Sequence, residues 1–340
     1  MRAVVAAGDG RVQVKDVPMP SVGDYDCLVK IRSCLFCNNT DRHIVERTLD
    51  LGVPYPCVLG HESLGRVVAV GAKVRGFAPG DWVVRPYAMY PDETLGELGS
   101  GWGGFAEFGK IRDFQSMVAD AALAADAVPG FFKYMQRLPD GLAPERATML
   151  SCLREICSAT RQIPEVAGRS FLVAGAGVAG CLFAVFLKRA GAGQVAIAAR
   201  RREQLDFAKA NTPADQTVEL DQLPSLGRRF DALVDTTGSA ETLCGLLDHS
   251  LKPGGVCHSY AIYPGMGRPG FFEQFSRRAK FERLNPAEAT AHEEVCALLL
   301  SGELDAANYI THSFPLDQAE AAWATVTGKK TMKTAILFDA

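Results

Sequence analysis

A glycine-rich turn between an apolar run and a helix-like stretch is the feature that most restricts the fold of this chain. The run Phe171–Ala174 leads into Gly175-Ala176-Gly177-Val178-Ala179-Gly180, and Cys181–Arg189 follows with a helical pattern. In such a strand–turn–helix unit, the first glycine allows the tight turn, the second lets a pyrophosphate approach the backbone, and the third lets helix and strand pack closely. The helix N-terminus then faces the anion. The predicted dinucleotide-binding residues are Gly175, Gly177, Val178, Ala179 and Gly180. The alternative is a glycine-rich turn of an α/β protein that binds no nucleotide.

The pattern around this turn predicts an α/β protein with two domains. From about residue 140, strand-like runs alternate with helix-like stretches, which is typical of a doubly wound parallel sheet. Residues 1–110 are instead rich in short β-branched runs bounded by Gly, Pro and Asp, and the chain ends with a strand–helix–strand pattern. We predict a β-rich domain over residues 1–153, completed by 288–340, and a dinucleotide-binding domain over residues 154–287.

Composition excludes several classes of partner. The formal net charge of −3 gives no basis for binding nucleic acid. No apolar run reaches the roughly 18 residues of a membrane span, and the N-terminus lacks the apolar core of a signal peptide. The ten cysteines are scattered through a long chain, which favours free thiols in a reducing compartment. We therefore expect a cytoplasmic protein.

The end of the next strand-like run indicates which dinucleotide is preferred. An NAD site usually offers a carboxylate about 20 residues after the glycines, to bind the ribose hydroxyls. Here Ala199 occupies that place, and Arg200 and Arg201 follow it. Because guanidinium groups bind phosphate well, this pattern favours NADP(H) over NAD(H). The alternative is that the arginines form a solvated start of the following helix.

Three further segments carry residues suited to a metal. They are Cys34–His43, Gly60–Gly65 and Met149–Cys152. Thiolate and imidazole are common zinc ligands, and a catalytic zinc ion keeps three protein ligands and one open position. The spacing Cys-x-x-Cys at Cys34 and Cys37 also leaves open a thiol redox pair.

These segments resemble a known family. The block GHE-x2-G-x5-G-x2-V is matched at every fixed position. Gly80–Val83 is similar to the family's GD-x-V, and Gly103–Glu107 to its GGFAE. The chain thus resembles the medium-chain dehydrogenase/reductase superfamily, of the zinc-dependent alcohol dehydrogenase type, over nearly its whole length. The resemblance implies a GroES-like catalytic domain and a Rossmann cofactor domain. The matching residues of the block are Gly60, His61, Glu62, Gly65, Gly71 and Val74.

The resemblance also implies roles for single residues. Cys37 and His61 would be zinc ligands, and Cys152 stands where many members have the third ligand. Thr40 and His43, in the pattern Thr-Asp-x-His, would pass the hydroxyl proton to solvent.

Alternatives remain for three of these residues. Cys152 could be only a small core residue, and Glu62 or Glu155 would then be the substitute ligand. His61 could be a buried structural histidine and His43 a surface histidine.

The chain departs from the family pattern at three places. Asn38-Asn39 makes the interval between Cys37 and Thr40 one residue longer than usual. The four-cysteine lobe for a second, structural zinc ion is absent, so we expect one zinc ion per chain. The segment Arg112–Gln136 is longer than usual. It is either an amphipathic helix and turn over a cleft, with a modified substrate entrance, or a surface excursion that packs its own apolar face.

Together these features predict an enzyme that transfers hydride between NADP(H) and a small-molecule alcohol/carbonyl pair with one catalytic zinc ion. The first alternative is an NADP(H)-dependent reductase of an activated C=C or C=N bond, with zinc non-catalytic or absent. The second is a nucleotide-binding protein without turnover. The resemblance further implies a homodimer or homotetramer.

Overall fold

The chain divides into two compact units. The computed structural model describes residues 1–49, 52–223 and 227–338. The first unit comprises Met1–Ser151 and His292–Ala340, and the second comprises Cys152–Ala291. Among the described residues, every helix is too short or too polar to cross a lipid bilayer.

The N-terminal part of the first unit is mostly β-structure. Its long strand β3 pairs antiparallel with β5 and with β8, and its residues alternate between buried and half-buried over Leu28–Ser33. That alternation is the period of a strand with one face on a core. The strands are β1 (Arg2–Ala6), β2 (Val12–Asp16), β3 (Asp26–Leu35), β4 (Cys57–Val58), β5 (Ser63–Val70), β6 (Trp82–Val84), β7 (Gly99–Ser100) and β8 (Phe108–Arg112). The helices are α1 (Thr40–Glu46), α2 (Phe114–Ala119), α3 (Gly130–Lys133) and α4 (Pro144–Ala147), with a 3-10 turn at Ala125–Ala127.

The second unit contains the predicted doubly wound sheet. Its described strands are all paired in parallel, in the order β11-β10-β9-β12-β13-β14. The strands are β9 (Ser170–Ala174), β10 (Gln194–Ala199), β11 (Gln216–Glu219), β12 (Phe230–Asp235), β13 (Leu251–Ser259) and β14 (Lys280–Arg283). The helices are α5 (Leu150–Thr160), α6 (Val178–Arg189), α7 (Arg202–Asn211), α8 (Ala240–His249) and α9 (Glu273–Ser276), with 3-10 turns at Leu220–Gln222 and Glu288–Ala291. This strand order is that of the Rossmann fold, so the predicted fold class is confirmed.

The chain then returns to the first unit. Strand β16 pairs antiparallel with β3, with Ile336 opposite Cys34. This pairing brings the C-terminal segment beside the end of β3, where Cys37 follows two residues after Leu35. The returning elements are α10 (His292–Ser301), β15 (Ile310–Pro315), α11 (Ala319–Thr327) and β16 (Lys333–Leu337), with 3-10 turns at Ala307–Tyr309 and Leu316–Gln318.

The long segment Arg112–Gln136 packs on the core of its own unit. Its apolar side chains join a buried cluster that also contains Tyr87, Tyr90 and Ile111. The Phe132 ring meets the Tyr90 ring edge-on, with 5.0 Å between centroids. The segment therefore buries its own apolar face. The side chains that it contributes to the cluster are Phe114, Val118, Leu123, Val128, Phe131, Phe132 and Met135.

The connection between β6 and β8, where the family's four-cysteine lobe is missing, is closed by hydrogen bonds. The Glu93 carboxylate accepts from the Tyr90 backbone N–H at 3.0 Å and pairs with Lys110 Nζ at 2.8 Å. Leu95 and Leu98 exchange backbone hydrogen bonds at 2.9 and 3.2 Å. Lys110 lies on β8 and is buried, so this ion pair holds the connection, which contains Glu93, against that strand.

Candidate active site and cofactor loop

Three residues of the first unit form a cluster suited to a metal ion. One ligand atom each from Cys37, His61 and Glu62 can be chosen so that all three lie within 4.8 Å of one another. His61 and Glu62 are buried, and Cys37 is half-buried. A thiolate with a buried imidazole matches the donor set that zinc prefers. These residues come from two segments that are 24 positions apart in the sequence, so the fold brings them together.

The glycines of the GHE block explain how this is possible. Gly60 has φ +109°, and a Cβ there would lie 2.6 Å from the Phe105 backbone nitrogen. A Cβ at Gly65 would lie 2.7 Å from the Lys30 carbonyl oxygen, on the neighbouring strand β3. Glycine alone fits both places, because the backbones approach too closely for any side chain. His61 is therefore presented by a turn that the surrounding strands hold in place.

Asp41 contacts both Cys37 and His61. Its Oδ2 accepts a hydrogen bond from the Cys37 backbone N–H at 2.8 Å, and its Oδ1 lies 3.2 Å from His61 Nδ1. Burial of the imidazole opposes its protonation, but the Asp41 carboxylate and the Cys37 sulfur raise the pKa of His61 well above its ordinary value. A carboxylate at Nδ1 favours the tautomer with its proton there, which leaves Nε2 for a metal ion.

Glu62 is held by a lysine from the far end of the chain. Lys333 Nζ lies 2.6 Å from each Glu62 carboxylate oxygen and also donates to the Phe36 carbonyl at 3.2 Å. Both residues are buried. Glu62 Oε1 lies 3.9 Å from His61 Nε2. The predicted substitute ligand is thus a member of the cluster, with both oxygens engaged by Lys333.

The two residues of the predicted proton relay lie on α1, but their side chains share no hydrogen bond in the described structure. The Thr40 backbone N–H donates to Cys37 Sγ at 3.4 Å. His43 Nδ1 lies 2.7 Å from Thr48 Oγ1. Burial and the neighbouring Arg42 lower the pKa of His43. In the loop that carries the extra residue, Asn38 donates its side-chain amide to the Met332 carbonyl at 2.8 Å.

Cys152 and Glu155 belong to the second unit, on α5. Cys152 is buried there, and Glu155 is half-buried. Their participation in the metal site stays a prediction. Cys34, the other member of the Cys-x-x-Cys pattern, is a fully buried free thiol whose pKa is raised well above its usual value, first by burial and then by Asp41.

The glycine turn of the second unit has the shape predicted for a dinucleotide loop. Gly175 has φ +105°, and a Cβ at Gly180 would lie 1.8 Å from the Gly175 carbonyl oxygen. Gly177 differs: apart from its own chain neighbours, none of the described residues has an atom within 4 Å of its Cβ position, so packing against them does not require a glycine there. Open space at this position fits a ligand that approaches the backbone. Val178 and Ala179 begin α6 directly after it.

The arginines that follow β10 differ in their contacts. Arg200 is exposed and has no ion pair or side-chain hydrogen bond with other described residues. Arg201 is half-buried and donates from Nε to Gln204 Oε1 at 3.2 Å. Arg202 is paired with Asp206 at 3.1 Å and with Glu219 at 3.2 Å. Arg200 is therefore the arginine most available to an added phosphate.

Comparison with known proteins agrees with these features. Residues 23–119 match the family model of the alcohol dehydrogenase GroES-like domain. The L-threonine 3-dehydrogenase of Yersinia pestis (strain Pestoides F) is 25% identical over 338 residues, which cover 96% of each chain. The chain is thus similar, over nearly its whole length, to medium-chain dehydrogenases of the zinc-binding type. These relatives are dehydrogenases, so the chain is an enzyme, an oxidoreductase, as the sequence motifs predict.

Solved structures show the same fold over the whole length of this dehydrogenase. The alcohol dehydrogenase TADH from Thermus sp. ATN1 superposes with a TM-score of 0.78 at 23% identity and covers 100% of both chains. A structure from Sinorhizobium meliloti 1021, solved with NADP bound, has a TM-score of 0.76 at 22% identity and covers 99% of this chain and 98% of that one.

The sequence reasoning missed three residues around the cluster of this dehydrogenase. Asp41 stands within the Thr-Asp-x-His pattern, so its position was the available signal. Lys333 gave no signal, because it lies 271 positions after Glu62. Trp102 packs on His61 with 5.1 Å between ring centroids and has φ +69°, a left-handed conformation that is rare for a bulky residue. Its place between Gly101 and Gly103 was a weak sign of an unusual turn.

Proposed function

We propose that this dehydrogenase transfers hydride between NADP(H) and an alcohol/carbonyl pair at a single zinc site. The observation that carries the proposal is the meeting of the Cys37 thiol and the His61 imidazole within 4.8 Å, beside a carboxylate at Nδ1 of that imidazole. These residues would hold the zinc ion, with Cys152 as the third ligand. A zinc ion held there supplies Lewis-acid chemistry, which favours ionisation of an alcohol near neutral pH.

The protein's own residues have separate tasks in this proposal. Asp41 keeps the His61 ring in one tautomer and one orientation. Lys333 neutralises Glu62, so that the buried carboxylate does not add an unpaired charge beside the site.

Thr40 and His43 would move the proton. The Thr40 hydroxyl has no hydrogen-bond partner among the residues that the structure describes, so it is available to a substrate oxygen, to which it can donate or from which it can accept. The lowered pKa of His43 favours its neutral form near pH 7, and a neutral imidazole can accept a proton.

The preference for NADP(H) rests on the end of β10. Ala199 offers no carboxylate to repel a 2′-phosphate, and the exposed Arg200 lies next to it without an ion-pair partner among the described residues. A guanidinium group in such a place binds phosphate oxygens through charge-assisted hydrogen bonds. The NADP-bound relative from Sinorhizobium meliloti 1021 is consistent with this choice.

The first experiment tests the zinc site. Wild type, Cys37→Ser and the control Cys244→Ser, which removes a half-buried thiol of the second unit, are analysed for zinc and for turnover. The substrates are a panel of alcohols that includes L-threonine, with the matching carbonyl compounds. We expect about one zinc ion per chain in wild type and control, and loss of zinc and turnover in Cys37→Ser.

Three outcomes would contradict the proposal. Full turnover by zinc-free protein would remove zinc from the chemistry. Reduction of activated alkenes or imines, with no reaction on any alcohol or carbonyl compound, would instead favour the C=C or C=N alternative. Binding of the dinucleotide without turnover of any substrate would favour a nucleotide-binding protein.

The second experiment tests the choice of dinucleotide. Arg200→Gln should lower kcat/KM for NADPH by about tenfold and leave that for NADH nearly unchanged, because one charge-assisted contact is lost. Arg202→Gln is the matched control, since Arg202 is already paired with Asp206 and Glu219. An equal effect of both substitutions on both dinucleotides would show that Arg200 does not bind the 2′-phosphate.

A further inference from the structure

A buried chain of hydrogen bonds lies at the carboxyl ends of β12, β13 and β14. The Tyr263 hydroxyl donates to Asp235 Oδ2 at 2.5 Å, and it lies 2.7 Å from Ser259 Oγ. Arg283 Nη1 donates to the same Ser259 oxygen at 3.0 Å. Asp235, Ser259 and Tyr263 are all fully buried. The chain therefore joins the ends of three neighbouring strands below the surface of the second unit.

This chain also fixes the two loops that follow β12 and β13. Asp235 Oδ1 accepts from the Thr237 backbone N–H at 3.0 Å and from its hydroxyl at 2.7 Å. The Asp235 carbonyl accepts from the backbone N–H groups of Tyr260 and Ala261 at 3.0 and 3.2 Å. One aspartate thus holds the loop 236–239 by its side chain and the loop 260–263 by its backbone.

The two loops are packed against each other and against the glycine turn. Gly238 has φ +66°, and a Cβ there would lie 2.6 Å from the Ile262 carbonyl oxygen. Thr236 Oγ1 donates to the Ala174 carbonyl at 2.8 Å, and a Cβ at Gly175 would lie 2.5 Å from that hydroxyl oxygen. The loops 236–239 and 260–263 and the glycine turn are therefore packed too closely for one of them to move without the others.

The strand order indicates which half of the dinucleotide would lie next to these loops. In this fold the dinucleotide crosses the sheet at the switch point, which here lies between β9 and β12. The ribose-binding position Ala199 and its neighbour Arg200 follow β10, on one side of that point. The other half of the dinucleotide, which carries the nicotinamide, must then lie over the ends of β12 and β13.

We propose that Tyr263 and Asp235 are positioning residues for the nicotinamide half of the dinucleotide. They act through the loops 236–239 and 260–263, whose backbone groups would face the nicotinamide ribose and carboxamide. This inference rests on the dinucleotide binding given in the proposed function. It assigns a task to a buried polar chain that the proton relay and the metal site do not use.

The experiment compares a complete dinucleotide with a ligand that has only its adenosine half. Binding of NADPH and of adenosine 2′,5′-bisphosphate, which lacks the nicotinamide half, is measured by calorimetry for wild type, Tyr263→Phe and Ser259→Ala. Thr212→Val is the control, because it removes a hydrogen-bonded hydroxyl at the far end of α7 in the same unit. Urea unfolding of each variant shows whether the unit stays folded.

We expect Tyr263→Phe to weaken NADPH binding about five- to tenfold, as the loss of one buried hydrogen bond implies, and to leave binding of the bisphosphate within about twofold of wild type. Ser259→Ala should show the same selectivity with a smaller effect. Thr212→Val should change neither affinity.

Three outcomes would overturn the inference. They are unchanged NADPH binding in both hydroxyl variants, an equal loss of affinity for NADPH and the bisphosphate, and the same selective loss in Thr212→Val. If wild type binds NADH in place of NADPH, the pair NADH and ADP replaces the first pair, and only the proposed choice of dinucleotide fails. A wild-type protein that binds neither dinucleotide would end both proposals.

Discussion

The cluster of candidate metal ligands and the glycine turn are built in different ways: the first depends on buried charges, and the second depends on the absence of side chains. In and beside the cluster, Glu62, Asp41 and Lys333 place three charged side chains within a buried region of the first unit. The turn Gly175–Gly180 has no charged side chain and depends on missing Cβ atoms. Substitutions at the cluster should therefore act through unpaired charge, and substitutions at the turn through lack of space.

The largest expected effect tests the role of space. In Gly180→Ala the new methyl group would meet the Gly175 carbonyl oxygen at 1.8 Å, so the turn or α6 must move. We expect the free energy of unfolding to fall by more than about 4 kcal/mol, measured by urea denaturation. A stable Gly180→Ala protein would break the comparison, because it would show that the turn tolerates side chains.

The next effect tests the role of charge. Lys333→Met leaves the Glu62 carboxylate buried without its partner, which should cost about 3–5 kcal/mol in the free energy of unfolding. The double variant Glu62→Gln/Lys333→Met removes both charges and should recover most of that loss. If the double variant is as unstable as the single one, packing and not charge explains the pair.

A smaller effect distinguishes the two kinds of glycine within the turn. Gly177→Ala should leave the free energy of unfolding nearly unchanged, because nothing lies within 4 Å of its Cβ position. Binding of the dinucleotide should weaken on the order of tenfold, about 1.4 kcal/mol, since the methyl group would stand where the pyrophosphate approaches. Calorimetric titration with NADPH measures the change. Unaltered affinity would place the ligand elsewhere.

The smallest effect concerns a buried carboxylate of the first unit outside the site. Burial opposes ionisation of Asp26, but hydrogen bonds from Arg112 at 2.7 and 3.0 Å lower the pKa of Asp26 overall. A lowered folded-state pKa adds stability that is present above the unfolded value of about 4 and is lost as the pH falls through the folded value. In Asp26→Asn, the decline of the free energy of unfolding below about pH 4 should be shallower. If the free energy of unfolding declines equally below about pH 4 in wild type and Asp26→Asn, this carboxylate is not a source of the pH dependence.

Local patterns were sufficient for much of the fold and for part of the site. The run Phe171–Ala174 lies within the observed strand Ser170–Ala174, and the helical stretch Cys181–Arg189 lies within the observed helix Val178–Arg189. Both follow from short-range signals, namely β-branched runs, glycine turns and helical periodicity. The approach of Cys37 and His61 was instead implied by the family resemblance, and only His61 has its glycines, Gly60 and Gly65, beside it in the sequence.

The missed contacts join positions that no local pattern relates. Lys333 reaches Glu62 only because β16 pairs with β3, and Tyr263 reaches Asp235 only because β12 and β13 are adjacent. The segment Arg112–Gln136 was ambiguous for a related reason. Its alanine-rich start fits several short helices, and its aromatic side chains are placed by the core cluster that receives them.

The closed connection between β6 and β8 has a consequence for how the enzyme would respond to metal starvation. Lys110 and Glu93 tie this connection to the sheet by an ion pair and not through a metal ion, and no cysteine stands between Cys57 and Cys152. If the protein holds the single catalytic zinc ion proposed above, a chelator would remove that ion. We expect the metal-free protein to be inactive but folded, and to regain activity when zinc is added.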